Sequence, residues 1–151
     1  MNAGLNTAIM IANGAHYGQM YNDEPYIFHV FRVMMMGKTD DERILGALHD
    51  VVEDSTITLD ELRQVFSPTI CDALDAITHR KGESREDYLA RCLSNELAAR
   101  VKSYDNYENL SHLDMVTDEQ RRIRLRNKYE SEWESIHWAV HMWDRKRGAM
   151  A

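Results

Sequence analysis

The sequence predicts an all-α protein, a compact bundle of about eight helices. Three observations carry that expectation. Apolar residues recur at three- and four-residue spacing along most of the chain. Turn punctuation is sparse, with Gly 7 and Pro 2 in 151 residues, fewer than a strand-rich chain of this length needs. Most of the periodic stretches are preceded by a residue able to cap a helix.

Asn6 is placed to cap a first helix carrying Ile9, Met10 and Ile11 and running to about His16. Tyr21-Asn22-Asp23-Glu24-Pro25 reads as a turn, with no convincing strand. Pro25 suits the first turn of a second helix holding Ile27, His29, Val30, Val33 and Met34, which Gly37-Lys38-Thr39 ends. Asp40 or Asp41 starts a third, with Ile44, Leu45, Ala47, Leu48, Val51 and Val52 as its apolar set. Thr58 opens a short helix with Leu59, Leu62 and Val65. Ser67-Pro68 is a cap followed by an N1 proline, ahead of Ile70, Leu74 and Ile77. Ser84 caps a helix with Tyr88, Leu89 and Cys92, and Asn95 a longer one with Leu97, Ala98, Val101 and Tyr104. Thr117-Asp118-Glu119-Gln120 reads as a capping box before a final long helix through Ile123, Tyr129, Trp133, Ile136 and Trp143.

Length and a hydrophobic fraction of 44% fit one domain over residues 1–151. A formal net charge of -7 argues against nucleic acid or an anionic membrane as partner. A small anion remains acceptable if a basic pocket or a metal receives it. Cys71 and Cys92 stand outside any CxxC and read as reduced thiols of a cytoplasmic protein. No apolar run approaches the length of a membrane span, and no signal peptide precedes the first helix.

ALHDVVEDS, residues 47–55, interrupts an apolar helix with His49, Asp50, Glu53 and Asp54. With His29 and the late Asp105, His49 and Asp50 form a set of two imidazoles and two carboxylates. Such a set suits a divalent Mn, Fe, Co, Ni or Zn. Neighbours on a helix point about 100 degrees apart, so His49 and Asp50 can share one ion only near a helix end that faces an internal cleft. Glu53 and Asp54 follow one turn later on the same faces and are placed to orient or deprotonate a water. Taken alone, a histidine on an apolar helix is more often a hydrogen-bonded core residue, and an acidic run a solvated helix end.

Four segments in order resemble the HD-domain alarmone hydrolases of the Rel/Spo type over roughly residues 10–130. AHYGQMYNDEPYIFHVFRV resembles that family's HxGQ…PYIxHxxxV, and ALHDVVEDSTITLDEL its LLHDxVEDTxxTxxEL. AITHRKGES is similar to a segment of threonine followed by basic residues, and VKSYDNYENL to VKLADxxxNM. The resemblance implies an all-helical HD fold and a metal held by His29, His49, Asp50 and Asp105. It makes Glu53 and Asp54 the catalytic pair, with Mn2+ the usual ion. It puts Asn109 on the substrate side and Tyr129 where small hydrolases of the family contact a phosphate. The implied reaction is metal-assisted removal of the 3′-pyrophosphate of guanosine tetra- or pentaphosphate, a (p)ppGpp 3′-pyrophosphohydrolase.

Arg32, Arg80, Lys81, Arg85 and Lys102 are the candidate cations for the transferring phosphate. Arg80, Lys81 and Arg85 lead, because they cluster at a helix start. The chain departs from the family after HYGQ, where Met20 and Tyr21 replace a basic pair that grips guanine. Tyr21 could stack on a base instead. Val30 replaces a proline, and KSYD replaces KLAD. RKGES also resembles stand-alone bacterial or phage HD proteins. The alternatives are therefore the same chemistry on another nucleotide, such as a nucleoside polyphosphate or dinucleotide cofactor phosphate, or a non-catalytic metal- and nucleotide-binding sensor. The intact Glu53–Asp54 pair argues against the sensor.

His137 and His141, one turn apart with Glu134, form a weaker candidate metal site. Trp133, Trp138 and Trp143 read as core or as contacts of a homo-oligomer. Met34-Met35-Met36 reads as core filler, Asp144-Arg145-Lys146-Arg147 as a solvated tail, and His16 as a hydrogen-bonded support beside the cleft.

Overall fold

The computed structural model describes residues 3–150, and they form an all-α bundle. The elements are α1 (Ala3–Ala15), a hairpin of β1 (Met20–Tyr21) and β2 (Glu24–Pro25), α2 (Ile27–Met36), α3 (Asp40–Leu48), α4 (Val51–Asp54), α5 (Leu59–Arg63), α6 (Pro68–Ile77), α7 (Arg85–Leu93), α8 (Glu96–Ser111) and α9 (Glu119–Met150). A 3-10 turn at Leu113–Met115 joins the last two. No helix among the described residues is long and apolar enough to cross a membrane.

The caps at Ser67, Ser84 and Asn95 are formed, each side chain accepting a backbone N–H from three residues on. Thr58 and Glu61 close a capping box, which satisfies two otherwise orphaned donors at the start of the short α5. Other boundaries differ from expectation. Asn6 lies inside α1, which is helical from Ala3. α3 does start at Asp40 as expected, and Thr39 before it supplies the cap by accepting from Glu42 N. The box at Thr117–Gln120 is absent, because Asp118 itself accepts the Arg121 N–H at 3.0 Å and starts α9.

Pro25 sits in a strand rather than opening α2, which begins after Tyr26. Residues 20–25 pair as a two-residue-turn hairpin, Met20 opposite Pro25 and Tyr21 opposite Glu24. Asn22 turns the chain at φ 53, a left-handed conformation that asparagine tolerates better than most residues. So short a ladder leaves no alternating pattern to read.

α3 is the centre of the bundle, packed against α1, α2, α6 and α8. Leu45, Ala47, Leu48, Val30, Val33, Leu74 and Val101 form a dry core around it, each fully excluded from solvent. Cys71 and Cys92 are both free and buried there. Gly46 lets α2 approach, since a Cβ at that position would lie 2.8 Å from the Met34 Cα. Met34 is buried but Met35 is exposed, so only part of the methionine run fills the core.

α9 runs 32 residues along α8. Its last turns are bonded to the body rather than free: Asp144 accepts from Arg100 at 2.6 Å and Arg147 meets Glu96 at 2.5 Å. Trp143 Nε1 donates to the Leu93 carbonyl at 3.1 Å, whereas Trp138 is exposed and Trp133 partly so.

Because the atom a Gly46 side chain would strike is backbone, it cannot rotate aside. Gly46→Val is expected to cost about 1–3 kcal/mol of stability by overpacking, read as a lower urea midpoint with an unchanged slope.

Candidate metal centre and its cleft

Between α2, α3, α4 and α8, His29, His49 and Asp105 bring one ligand atom each to within 4.8 Å of one another, all three buried. His29 Nε2 lies 3.3 Å from Asp105 Oδ1, and His49 Nε2 3.7 Å from the same oxygen. Asp50 Oδ2 adjoins the group, 2.9 Å from His49 Nε2 and 3.9 Å from His29 Nε2.

A break in the helix makes this convergence possible. α3 stops at Leu48, with His49 as its C-cap, and α4 restarts at Val51. Asp50 between them sits at φ -108 and ψ 0, off the helical values. The helix read as continuous to Val52 is therefore two helices, and the bend turns neighbouring side chains toward one point. Asp50 caps nothing. Its Oδ2 accepts the Tyr26 hydroxyl at 2.5 Å.

The donor set fits a divalent ion. His49 Nδ1 donates to the Gly46 carbonyl at 2.7 Å, which leaves the lone pair on Nε2. That nitrogen is buried and makes no hydrogen bond, with only the carboxylate oxygens of Asp50 and Asp105 near its lone pair, an arrangement that a cation between them would satisfy. His29 Nδ1 is likewise engaged, by Glu108 Oε2, and its Nε2 faces the group. The electrostatics favour positive charge here. Burial opposes the charged imidazole of His29, yet hydrogen bonds to Asp105 and Glu108 push it up to about 9. Burial also works against ionised Asp105, but the Lys102 ammonium at 2.8 Å holds its carboxyl well below the usual range.

The two catalytic candidates lie on α4 at the exposed mouth. Glu53 Oε1 accepts the His79 N–H at 2.6 Å. Asp54 Oδ2 accepts from Gln19 Nε2 at 3.0 Å, and Gln19 in turn accepts from His16 Nδ1 at 2.8 Å. His16 is thus a buried support beside the cleft. Partial desolvation raises Glu53 above its ordinary value, against the lowering effect of the His79 N–H.

The substrate-side candidates divide. Asn109 donates to Asp105 Oδ1 at 2.7 Å and accepts from the Tyr21 hydroxyl at 3.4 Å, so it bridges the metal group and the hairpin. Tyr129 is buried, and burial and the Asp105 charge hold its hydroxyl above the ordinary value. Arg85 pairs with Glu132 through two bonds of 2.5 and 3.0 Å and lies over the Tyr88 ring. Arg80 turns instead to Asp75, at 3.0 and 3.1 Å, and Lys81 is exposed in the turn before α7. Arg32 is held between Glu24 and Glu108. His137 Nδ1 donates to the Trp133 carbonyl at 2.9 Å, and its helix face brings together no metal-binding group among the described residues.

Sequence reasoning missed Glu108, Tyr26 and Gln19. Glu108 had a signal, being a carboxylate three residues beyond Asp105 on the same helix. The other two reach the site only through the fold.

An all-helical bundle in which a histidine from one helix, a His-Asp pair at a helix break and a late aspartate converge has the architecture of an HD-type helical domain. No family model matches the chain. It is similar to guanosine-3′,5′-bis(diphosphate) 3′-pyrophosphohydrolase MESH1 of Drosophila melanogaster, at 26% identity over 140 residues, 85% of this chain and 75% of that one. It is 27% identical over 142 residues to the bifunctional (p)ppGpp synthase/hydrolase SpoT of Escherichia coli (strain K12), covering 83% of this chain but only 20% of SpoT. In solved structures the fold matches a metazoan ortholog of SpoT, described as hydrolysing ppGpp and acting in starvation responses. That match has a TM-score of 0.73 and 21% identity over 98% of this chain and 97% of the other. The chain is thus an all-α HD domain related to the (p)ppGpp 3′-pyrophosphohydrolases.

The raised Glu53 keeps its proton to higher pH than a free glutamate, so its basic form grows in later as pH rises. In the metal-free protein its carboxyl carbon is expected to titrate above 4.5 by NMR, and a midpoint at or below that value would contradict the desolvated placement.

Proposed function

We propose that the protein is a metal-dependent pyrophosphohydrolase of a small nucleotide, with the 3′-pyrophosphate of (p)ppGpp the leading substrate. The observation that carries the proposal is the buried His29–His49–Asp105 group, with Asp50 beside it and Glu53 and Asp54 one turn away. Its support is the similarity to two relatives named for acting on (p)ppGpp.

In this reading His29, His49, Asp50 and Asp105 would hold one divalent ion, Mn2+ by analogy with the family. When bound, such an ion polarises a phosphoryl oxygen and acidifies water. Glu53 and Asp54 orient the attacking water and accept its proton at a carboxylate oxygen. Water adds to the phosphorus that carries the 3′ oxygen as the bond to that oxygen breaks, and the proton taken by the carboxylate passes to the 3′ oxygen, so that pyrophosphate and a nucleotide with a free 3′ hydroxyl leave. Asn109 and Tyr129 line the substrate side, and Arg85 and Lys102 supply positive charge in a chain of net charge -7. In this reading the exposed Lys81 would meet the outer phosphates, and Arg80 would do so only by leaving Asp75.

Met20 and Tyr21 bear on base choice. The exposed Met20 cannot donate to guanine, and Tyr21 offers a ring near His29, with centroids 5.9 Å apart. Recognition by stacking tolerates more than one base, so another nucleoside polyphosphate or a dinucleotide cofactor phosphate is the second reading.

A nucleotide panel incubated with Mn(II) and resolved by chromatography tests both readings. Pyrophosphate from (p)ppGpp, abolished by chelation, is the expected result. Release from other nucleotides alone would leave the chemistry and remove the substrate. No release from any nucleotide would favour a non-catalytic sensor.

Glu53→Gln is expected to lower kcat by about 10²- to 10⁴-fold, the usual contribution of a general base, while Mn(II) binding by calorimetry is retained. His49→Ala is expected to abolish Mn(II) binding itself.

A further inference from the structure

We infer that Glu108 is a positioning residue for His29, and that Arg32 and Glu24 tie this support to the hairpin at the cleft mouth. The inference rests on the reading of the His29 group as a metal site.

Glu108 is fully buried in α8. A buried carboxylate is costly unless both oxygens are engaged by charge or strong donors. Here Oε2 faces His29 Nδ1, and Oε1 accepts from Arg32 Nε. Arg32 also donates through its second nitrogen to Glu24 in β2. His112 Nδ1 adjoins Oε1 at 3.0 Å and donates to the Glu108 carbonyl.

Glu108 cannot share an ion with His29, because it meets the nitrogen on the far side of the ring. A neutral imidazole carries one N–H and one lone pair. An acceptor at Nδ1 fixes the proton there and leaves the lone pair on Nε2, which faces Asp105 Oδ1 at 3.3 Å. The two histidines are supported differently. His49 leans on a neutral carbonyl, Gly46 O, whereas His29 leans on a full negative charge. A carboxylate fixes the tautomer more firmly and makes the ring a stronger donor. Arg32 balances that charge, so Glu108 stays ionised while buried. The same guanidinium holds Glu24, opposite Tyr21 in the hairpin. One chain of charges, Glu24–Arg32–Glu108–His29, thus joins the segment carrying the candidate base-stacking tyrosine to the metal group.

The test is Mn(II) affinity without nucleotide, read from the electron paramagnetic resonance signal of the free ion. Glu108→Gln keeps the size and an acceptor but removes the charge. It is expected to weaken Mn(II) binding about 10- to 100-fold, with the helical circular dichroism unchanged. In Zn(II)-loaded wild-type protein the His29 Nδ1 proton is expected far downfield in long-range ¹H–¹⁵N spectra, and upfield of that in the variant. A purely structural role would not move that proton. Wild-type affinity and an unmoved proton in Glu108→Gln overturn the inference and leave the proposed activity standing. A wild-type protein that binds no divalent ion overturns both. Should Glu108→Gln not fold, Arg32→Met, at the partly exposed end of the chain, replaces it. A smaller loss of affinity in the same direction supports the inference, and no change overturns it.

Discussion

The structure depends on the charge balance of one buried helix. α8 carries Lys102, Asp105, Asn106, Glu108 and Asn109 into the middle of the bundle, where water cannot solvate them. Leaving any of these charges unpaired would cost several kcal/mol against a total stability of about 5–15 kcal/mol. The charges are paired, Lys102 with Asp105 and Glu108 with His29 and Arg32, while Asn109 donates to Asp105 and Asn106 to the Tyr129 carbonyl. α2, α3 and α9 must therefore stand in one register against α8. The fold is specified as much by this polar seam as by the apolar core around Leu45 and Leu48.

The same constraint accounts for the break in α3. An unbroken helix through Val52 would send His49 and Asp50 in directions about 100 degrees apart. Ending the helix at Leu48 gives up regular hydrogen bonding at a buried place. In exchange it directs two adjacent side chains at Asp105 and His29. The bend also delivers Glu53 and Asp54 to the mouth, where His79 N and Gln19 fix their carboxylates. The buried ligand group below and the carboxylate pair at the rim thus both follow from one irregularity in the backbone.

The acidic chain and the anionic substrate proposed for it are reconciled locally. Net charge -7 governs how the protein meets a polyanionic surface, not what enters a cleft a few residues wide. Lys102 and Arg85 stand close to the buried Tyr88 ring, at 5.6 and 4.9 Å, each already paired with a carboxylate, Asp105 and Glu132. Any divalent ion adds two further charges.

Sequence by itself determined the helical class, the caps at Thr58, Ser67, Ser84 and Asn95, and the identity of the residues that meet at the centre. Caps and periodicity act within a few residues, and His49 and Asp50 stand out against an apolar pattern, whereas Asp105 is marked by the motif VKSYDNYENL. Tertiary structure alone decided the rest. The hairpin at residues 20–25 is too short to show alternation, and the length of α3 is limited by a site no local propensity encodes. Arg32 read as a cation free for phosphate, but Glu108, 76 positions away, claims it. Glu108 itself was not singled out in the sequence. Only folding, which brings α2 and α8 side by side, makes it the partner of His29, because which charges must neutralise one another is set by proximity in space and not by spacing along the chain.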